Sequence, residues 1–245
     1  MPNPPGPAAA VAVPAVSVHV WTLRRRHLGF GLRQAAAPSA LIRARTGARF
    51  AKLLGTGRGE TFTVSDAQPL TWALVAAWPD EPAARAFDGG RWAAAWSRRS
   101  ASAVRLALTP LSARGTWSGA APFAPVAPAL SAPAPGPVAA LTRARIRPRR
   151  LLMFRRAVGP VAAQLRSAPG CRWAIGIGEA PIGWQGTLSI WDDAAALRRF
   201  AYGPGPHAGV VARTPEAGWY AEELFARFAV TEAAGLPSSS APAES

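Results

Sequence analysis

Cysteine is nearly absent: Cys171 stands alone, so no disulfide can close within the chain and no cysteine-built zinc or iron–sulfur site can be assembled from it. Lysine is as scarce. Lys52 is the single lysine among 28 basic residues, the rest being arginine, and with 13 acidic residues the formal net charge is +15. Histidine occurs three times, at His19, His27 and His207, which leaves few imidazoles for metal or acid–base chemistry. A long apolar run is also missing. The stretch 8–20 is interrupted by Pro14, is shorter than the roughly 20 residues a bilayer span takes, and has no basic segment before it, so it reads as neither signal peptide nor anchor. A cytoplasmic location is the expectation from these absences. The chain lacks zinc-finger spacing, an RNP aromatic motif and a basic leucine zipper, so no nucleic-acid partner is expected. Arginine with alanine is what a GC-rich genome writes on tolerant surfaces. Beyond that plain reading, the charge favours anionic partners, peripheral contact with the inner membrane face among them.

What is present points to a folded core. Apolar residues make up 49% of the 245 and tryptophan occurs ten times, which excludes a disordered or collagen-like chain despite 23 glycines and 25 prolines. The Pro/Gly/Ala/Ser-rich ends read as tails, 1–14 and 233–245, and the uncharged proline–alanine stretch 120–137 reads as a linker between halves spanning 15–119 and 138–232. The halves repeat one another. A glycine-rich segment (55–60, then 176–179) precedes an apolar strand ending in tryptophan (Trp78, Trp191), then an acidic residue opens an alanine-rich helix that reaches phenylalanine (Phe87, Phe200).

Periodicity within the second half predicts a strand over 138–146, an amphipathic helix after Pro148, strands over 172–177 and 185–191, a helix capped by Asp192, and a strand over 224–230. That order is β-α-β-β-α-β, the ferredoxin-like motif. The first half reads the same way, with strands over 17–23, 50–54, 70–78 and 104–108, a helix from Pro79, and an ill-defined helix or loop after the first strand. The predicted fold class is α+β, two ferredoxin-like halves closing into a pseudo-symmetric barrel of the kind otherwise made by a dimer.

Several blocks resemble the spheroidene monooxygenase family. They are Lys52-Leu-Leu-Gly-Thr-Gly-Arg-Gly-Glu60 with Phe62, Ala77-Trp-Pro-Asp80, Ala113-Arg-Gly-Thr-Trp-Ser-Gly119 and Ala140-Leu-Thr-Arg-Ala-Arg-Ile-Arg147. The second half adds Ile175-Gly-Ile-Gly-Glu-Ala-Pro181, Thr187-Leu-Ser-Ile-Trp-Asp-Asp193, Pro206-His-Ala208 and Gly218-Trp-Tyr-Ala-Glu-Glu-Leu-Phe-Ala-Arg-Phe228. Family members follow the phenylalanine at the place of Phe154 with tryptophan, where Arg155 stands here. The resemblance implies a haem b enzyme that uses dioxygen and a reduced ferredoxin-type donor to add oxygen, first as hydroxyl and then as ketone, to an acyclic carotenoid or similar apolar substrate. The alternative is a barrel of the same fold that binds haem or another small ligand without catalysis.

Haem iron needs a protein donor, usually histidine nitrogen or cysteine thiolate, and four residues qualify. His207 follows the turn-forming Gly203-Pro-Gly-Pro206, and on residue context alone it reads as a loop histidine. Its place in the Pro-His-Ala block makes it the axial ligand that the resemblance implies, and thus the cofactor-binding and metal residue. His19 alternates away from Val18 and Val20 and reads as an exposed or hydrogen-bonded strand residue. His27, after three arginines that oppose its protonation, reads as surface, and Cys171 as a small packed residue. No catalytic side chain is assigned beyond the haem. Arginines would pair with the propionates. The glycine segments lack the lysine and hydroxyl residue of a P-loop and read as bulges or strand-end turns, with Glu60 and Glu179 in capping or salt-bridge roles.

Overall fold

β-Branched residues take every second position along Ala15–Leu23, and this strand, β1, pairs antiparallel with β3 (Ala67–Trp78) on one side and β4 (Ser100–Gly115) on the other. With β2 (Phe50–Gly57), β5 (Val138–Ile146), β6 (Cys171–Gly178), β7 (Trp184–Trp191) and β8 (Tyr220–Ala234), the strands close an antiparallel barrel in the order β1-β3-β2-β6-β7-β5-β8-β4. The computed structural model describes residues 15–58, 64–123, 136–179, 184–205 and 218–237. Helices α1 (Leu28–Ala35), α2 (Ser39–Thr46), α3 (Glu81–Asp88), α4 (Arg91–Ser97), α5 (Leu151–Arg166) and α6 (Ala194–Tyr202) accompany the strands.

The period of two sends alternate side chains to opposite faces. Val16, Val18 and Val20, Leu106 and Leu108, Leu188 and Ile190, and Leu224, Ala226 and Phe228 share one interior cluster to which all eight strands contribute. Closure leaves no strand edge open.

The internal repeat is physical. Trp78 pairs with Ala15 as Trp191 pairs with Val138, and Phe87 and Phe200 each lie 5.0 Å from their tryptophan, at interplanar angles of 36° and 35°. Asp80 caps α3 by accepting from the Ala83 amide, and Asp193 caps α6 by accepting from the Ala196 amide. The cap was expected at Asp192. That carboxylate instead accepts from Arg172 Nε at 2.5 Å, because it is the next residue whose backbone turns into the helix.

The two glycine-rich segments pair with each other: Gly55 with Gly178, Thr56 with Ile177 and Gly57 with Gly176. They form one seam between the halves, and a register shift at Gly55/Gly57 against β3 is the bulge expected there. The other seam, β4 with β8, is much longer, because β4 extends well beyond 104–108. The ill-defined first-half segment folds as α1 and α2, the latter ending at Gly47 with φ 77°. Of the stretch read as a linker only the ends are described, and Phe123 there is buried inside the barrel; β8 likewise runs past 232, with Ala233 and Ala234 paired to Leu106 and Arg105.

Candidate functional site

Charged side chains enter the otherwise largely apolar barrel interior. Interior positions on β2, β5 and β8 carry Lys52, Arg143 and Glu222, and Glu179 follows the end of β6. Arg143 donates from Nη2 and Nε to Glu179 Oε1 at 2.7 and 3.1 Å and from Nη1 to Glu222. Lys52 Nζ donates to Glu179 Oε2 and to Ser118 Oγ, both at 2.9 Å. The segment after β4 folds in to complete the cluster. Trp117 Nε1 donates to Glu179 Oε1 at 2.8 Å, and Thr116 Oγ1 and the Gly119 amide donate to Glu222 Oε1 at 3.1 and 2.8 Å. A tight turn from Trp117 to Ala120 aims that amide by holding Ser118 and Gly119 left-handed, at φ 54° and 75°. Two cations thus meet two anions with the Arg143 side chain only 3% exposed. Burial alone would raise the Glu222 carboxyl, but the Gly119 amide and Arg143 outweigh it and hold the group down at about 2.

On the outer face of the first half, His19 is buried rather than exposed, and its Nε2 lies 2.8 Å from Asp88 Oδ1. Asp88 also accepts from Arg105, which reaches Glu232. The imidazole stacks on Trp21 at 5.2 Å and meets the edge of Phe87 at 5.2 Å. Trp21, Trp72, Trp78 and Trp96 with Leu23, Leu74 and Phe87 make this face one continuous cluster. No flat cofactor can approach His19 through it. His27 lies outside this packing with Arg26 Nε at 3.3 Å from its Nε2, and partial desolvation followed by Arg26, Arg99 and Arg24 lowers its pKa.

The outer face of the second half is built from smaller side chains. Where Trp21 pairs with Trp72 and His19 with Leu74, the corresponding rungs hold Ala144 with Gln185 and Thr142 with Thr187. Its apolar packing divides into two small groups, Ile146, Phe154 and Trp219 at one end and Val138, Trp191, Ala196 and Leu197 at the other. A sheet face with Thr142, Ala144 and Thr187 beside Gln185 in place of indoles, bordered by Phe154, Trp219 and Tyr220 at centroid spacings of 6.0 to 6.4 Å, fits a flat apolar macrocycle such as haem. Of the donors, His207 lies outside the described residues, between the end of α6 and the start of β8. Cys171 is half-buried on β6 and burial pushes its thiol up to about 11, which disfavours the thiolate that iron would need. Among the described residues no group of three His, Cys, Asp or Glu side chains could hold a bare metal ion.

Glu179 makes the salt bridges expected of it, whereas Glu60 lies outside the described residues. The buried charge cluster as a whole escapes a residue-by-residue reading, although each member belongs to one of the blocks that carry the family resemblance. Its one local signal is Lys52, the lone lysine of an arginine-rich chain, at an interior position of a strand.

No family model matches the sequence. The chain is 40% identical to the spheroidene monooxygenase of Rhodobacter capsulatus over 183 residues, 74% of this chain and 74% of that protein. It is 38% identical to the spheroidene monooxygenase of Rubrivivax gelatinosus over 201 residues, 82% and 75% of the respective chains. Among solved structures, an aldoxime dehydratase in complex with butyraldoxime shares the fold at a TM-score of 0.59 and 10% identity, over 92% of this chain and 82% of that one. A second aldoxime dehydratase gives 0.56 at 10% identity, over 90% and 82%.

Proposed function

We propose, from the premise that this chain belongs to the spheroidene monooxygenase family, that it is a haem-dependent monooxygenase of an acyclic carotenoid or similar apolar substrate. Kinship along most of the chain carries this reading. His207 would hold haem b against the small-residue sheet face of the second half, and arginines would pair with its propionates. When bound, the haem supplies reductive activation of dioxygen, the hard step that the cofactor rather than the protein performs.

The chain's own residues do three things in this reading. Ala144, Thr142 and Thr187 leave room beside the sheet, while Phe154, Trp219 and Tyr220 keep water from the reacting end of a polyene. The closed, ion-paired barrel beneath holds that face rigid. A reduced ferredoxin-type donor supplies two electrons per turnover, so that a C–H bond, dioxygen and two protons give a hydroxyl group and water. A second turnover at the same carbon gives a geminal diol that loses water to the ketone. Expression in a host that accumulates acyclic carotenoids is expected to yield hydroxylated and then ketonic pigment by mass analysis. Unchanged pigment beside haem-loaded protein would favour the non-catalytic haem binder.

The substrate dissolves in membrane, yet no helix among the described residues is long and apolar enough to cross one. Peripheral docking is the proposed route. At the start of α5, Leu152 and Met153 are 71% and 40% exposed, directly after the exposed Arg149 and Arg150. Basic residues near an anionic surface contribute about 1 kcal/mol each. The protein is expected to sediment with phosphatidylserine-containing vesicles at low salt and to be released at high salt or by Arg149→Glu/Arg150→Glu; indifference to both treatments leaves genome composition as the sufficient explanation of the charge.

A further inference from the structure

The internal repeat places an arginine at the same point in each half. Ala15 and Val138 occupy matching rungs, so Arg24, directly after β1, corresponds to Arg147, directly after β5. Each is tied to backbone carbonyls at the start of the last strand of its half. The Arg24 amide donates to Arg99 O at 3.0 Å and its Nη1 to Arg98 O at 3.1 Å. The Arg147 amide donates to Trp219 O at 2.8 Å and its Nε to Tyr220 O at 3.0 Å. The difference lies in which nitrogen is used. Arg147 is fixed through Nε, so both of its Nη groups, the end of the guanidinium that meets a carboxylate as a fork, have no partner among the described residues.

The two arginines also stand beside different faces. In the first half His19 and Leu74 form a rung that is 5% and 0% exposed, whereas the matching rung of the second half, Thr142 with Thr187, is half-exposed. The second-half face is thus reachable at its middle. Exposed Arg147 stands at its rim, next to Ile146 in sequence and hydrogen-bonded to the backbone of Trp219 and Tyr220, which border the face with Phe154. A second donor there is unused: Trp219 Nε1 is buried with no acceptor among the described residues, and a buried N–H without one is the exception in folded proteins.

We propose that Arg147 is the anion anchor of this face; the inference rests on the haem reading, under which the anchored group is a propionate. Its Nη groups would donate to the two carboxylate oxygens while Nε stays on Tyr220 O, so the cation is oriented before the ligand arrives and little ordering remains to be done on binding. Arg24 keeps the tie to the backbone but borders a face already filled by indoles.

Fluorescence titration of the full-length protein with metal-free protoporphyrin IX, which offers no iron to His207, tests the anchor, with protoporphyrin dimethyl ester as the form lacking both carboxylates. Wild-type protein is expected to bind the acid more tightly than the ester. Arg147→Ala should weaken the acid by roughly tenfold or more, the effect of one to two charge-assisted hydrogen bonds, and leave the ester unchanged. Arg147→Lys keeps the charge without the fork and should fall between; it carries the comparison if Arg147→Ala does not fold by circular dichroism. Arg24→Ala removes the same charge from the other half and should bind the acid as wild type does. Haem and its dimethyl ester, followed by the Soret band, repeat the series with iron present. The proposal is overturned by equal binding of acid and ester to wild type, by undiminished acid binding in the folded Arg147 variants, by equal loss of acid and ester, or by an equal loss in Arg24→Ala. Each of those outcomes leaves the haem reading standing, whereas wild-type protein that binds neither protoporphyrin nor haem overturns both.

Discussion

Arg143→Met is expected to lower the unfolding free energy by about 3–5 kcal/mol, the range for removing one partner of a buried ion pair. Met retains the apolar stem but leaves Glu222 without its cation and Glu179 with Lys52 and Trp117 only. The penalty is the stranded carboxylate rather than the lost attraction. Arg143→Met combined with Glu222→Gln should therefore recover part of the loss, because the charge left unpaired is then gone. Urea unfolding of the three proteins measures this, and a loss below about 1 kcal/mol for the single variant would place the cluster among the weak exposed pairs.

Acid gives an orthogonal readout of the same cluster. Glu222 is held at about 2, below its ordinary 4.5, so it binds fewer protons folded than unfolded. Its contribution is complete above pH 4.5 and is lost as pH falls from there toward 2. Glu222→Gln should flatten that part of the stability profile while lowering stability at neutral pH. An unchanged acid limb in the variant would assign the acid sensitivity to other carboxylates.

His207→Ala is expected to abolish or greatly weaken the Soret band of haem-reconstituted protein, while His19→Ala and His27→Ala keep it. The environment of His19 sharpens the contrast. It is closed in by Trp21 and Phe87 and tied to Asp88, so its loss should appear as reduced stability without a spectral change. His27, whose pKa is lowered by partial desolvation and then by neighbouring arginines, stands on the half whose outer face is filled. A wild-type spectrum in the His207 variant would move the ligand elsewhere, and protein that binds no added haem would end the cofactor assignment.

Strands were the legible part of this sequence because their signal is local. Val138–Ile146 announces itself by its strand-like run, and β3 and β7 by apolar side chains ending in tryptophan and by the acidic cap that follows. The repeat was legible for the same reason, since Trp78 and Trp191 and their phenylalanines recur in order. The Asp193 cap was misplaced by one residue because two adjacent aspartates carry equal propensity and only the backbone turn distinguishes them. Helix α4 went unread, because its seven residues are too short for a period to stand out; Gly89 and Gly90 separate it from α3. The charge cluster was invisible because Lys52 and Glu179 are separated by 127 residues and Glu222 and Gly119 by 103, and no local period reports such pairings. His19 was placed on the right face, but its burial depends on α3, which sequence alternation within β1 does not register.

The seam at which Gly55 to Gly57 meet Gly176 to Gly178 is where two identical subunits would touch in a dimer of half-length chains. In such a dimer every substitution is made twice, so a face cleared for a cofactor is cleared on both sides and the stability lost is doubled. Covalent fusion removes that constraint. Here one copy could take indoles at the Trp21 and Trp72 rung and become ballast, while the other, with Ala144 and Gln185 at the same rung, stayed free to hold chemistry. Under the proposed haem reading, this asymmetry gives a stoichiometry of a single reacting centre per barrel, with the second half answerable for turnover and the first for keeping it folded.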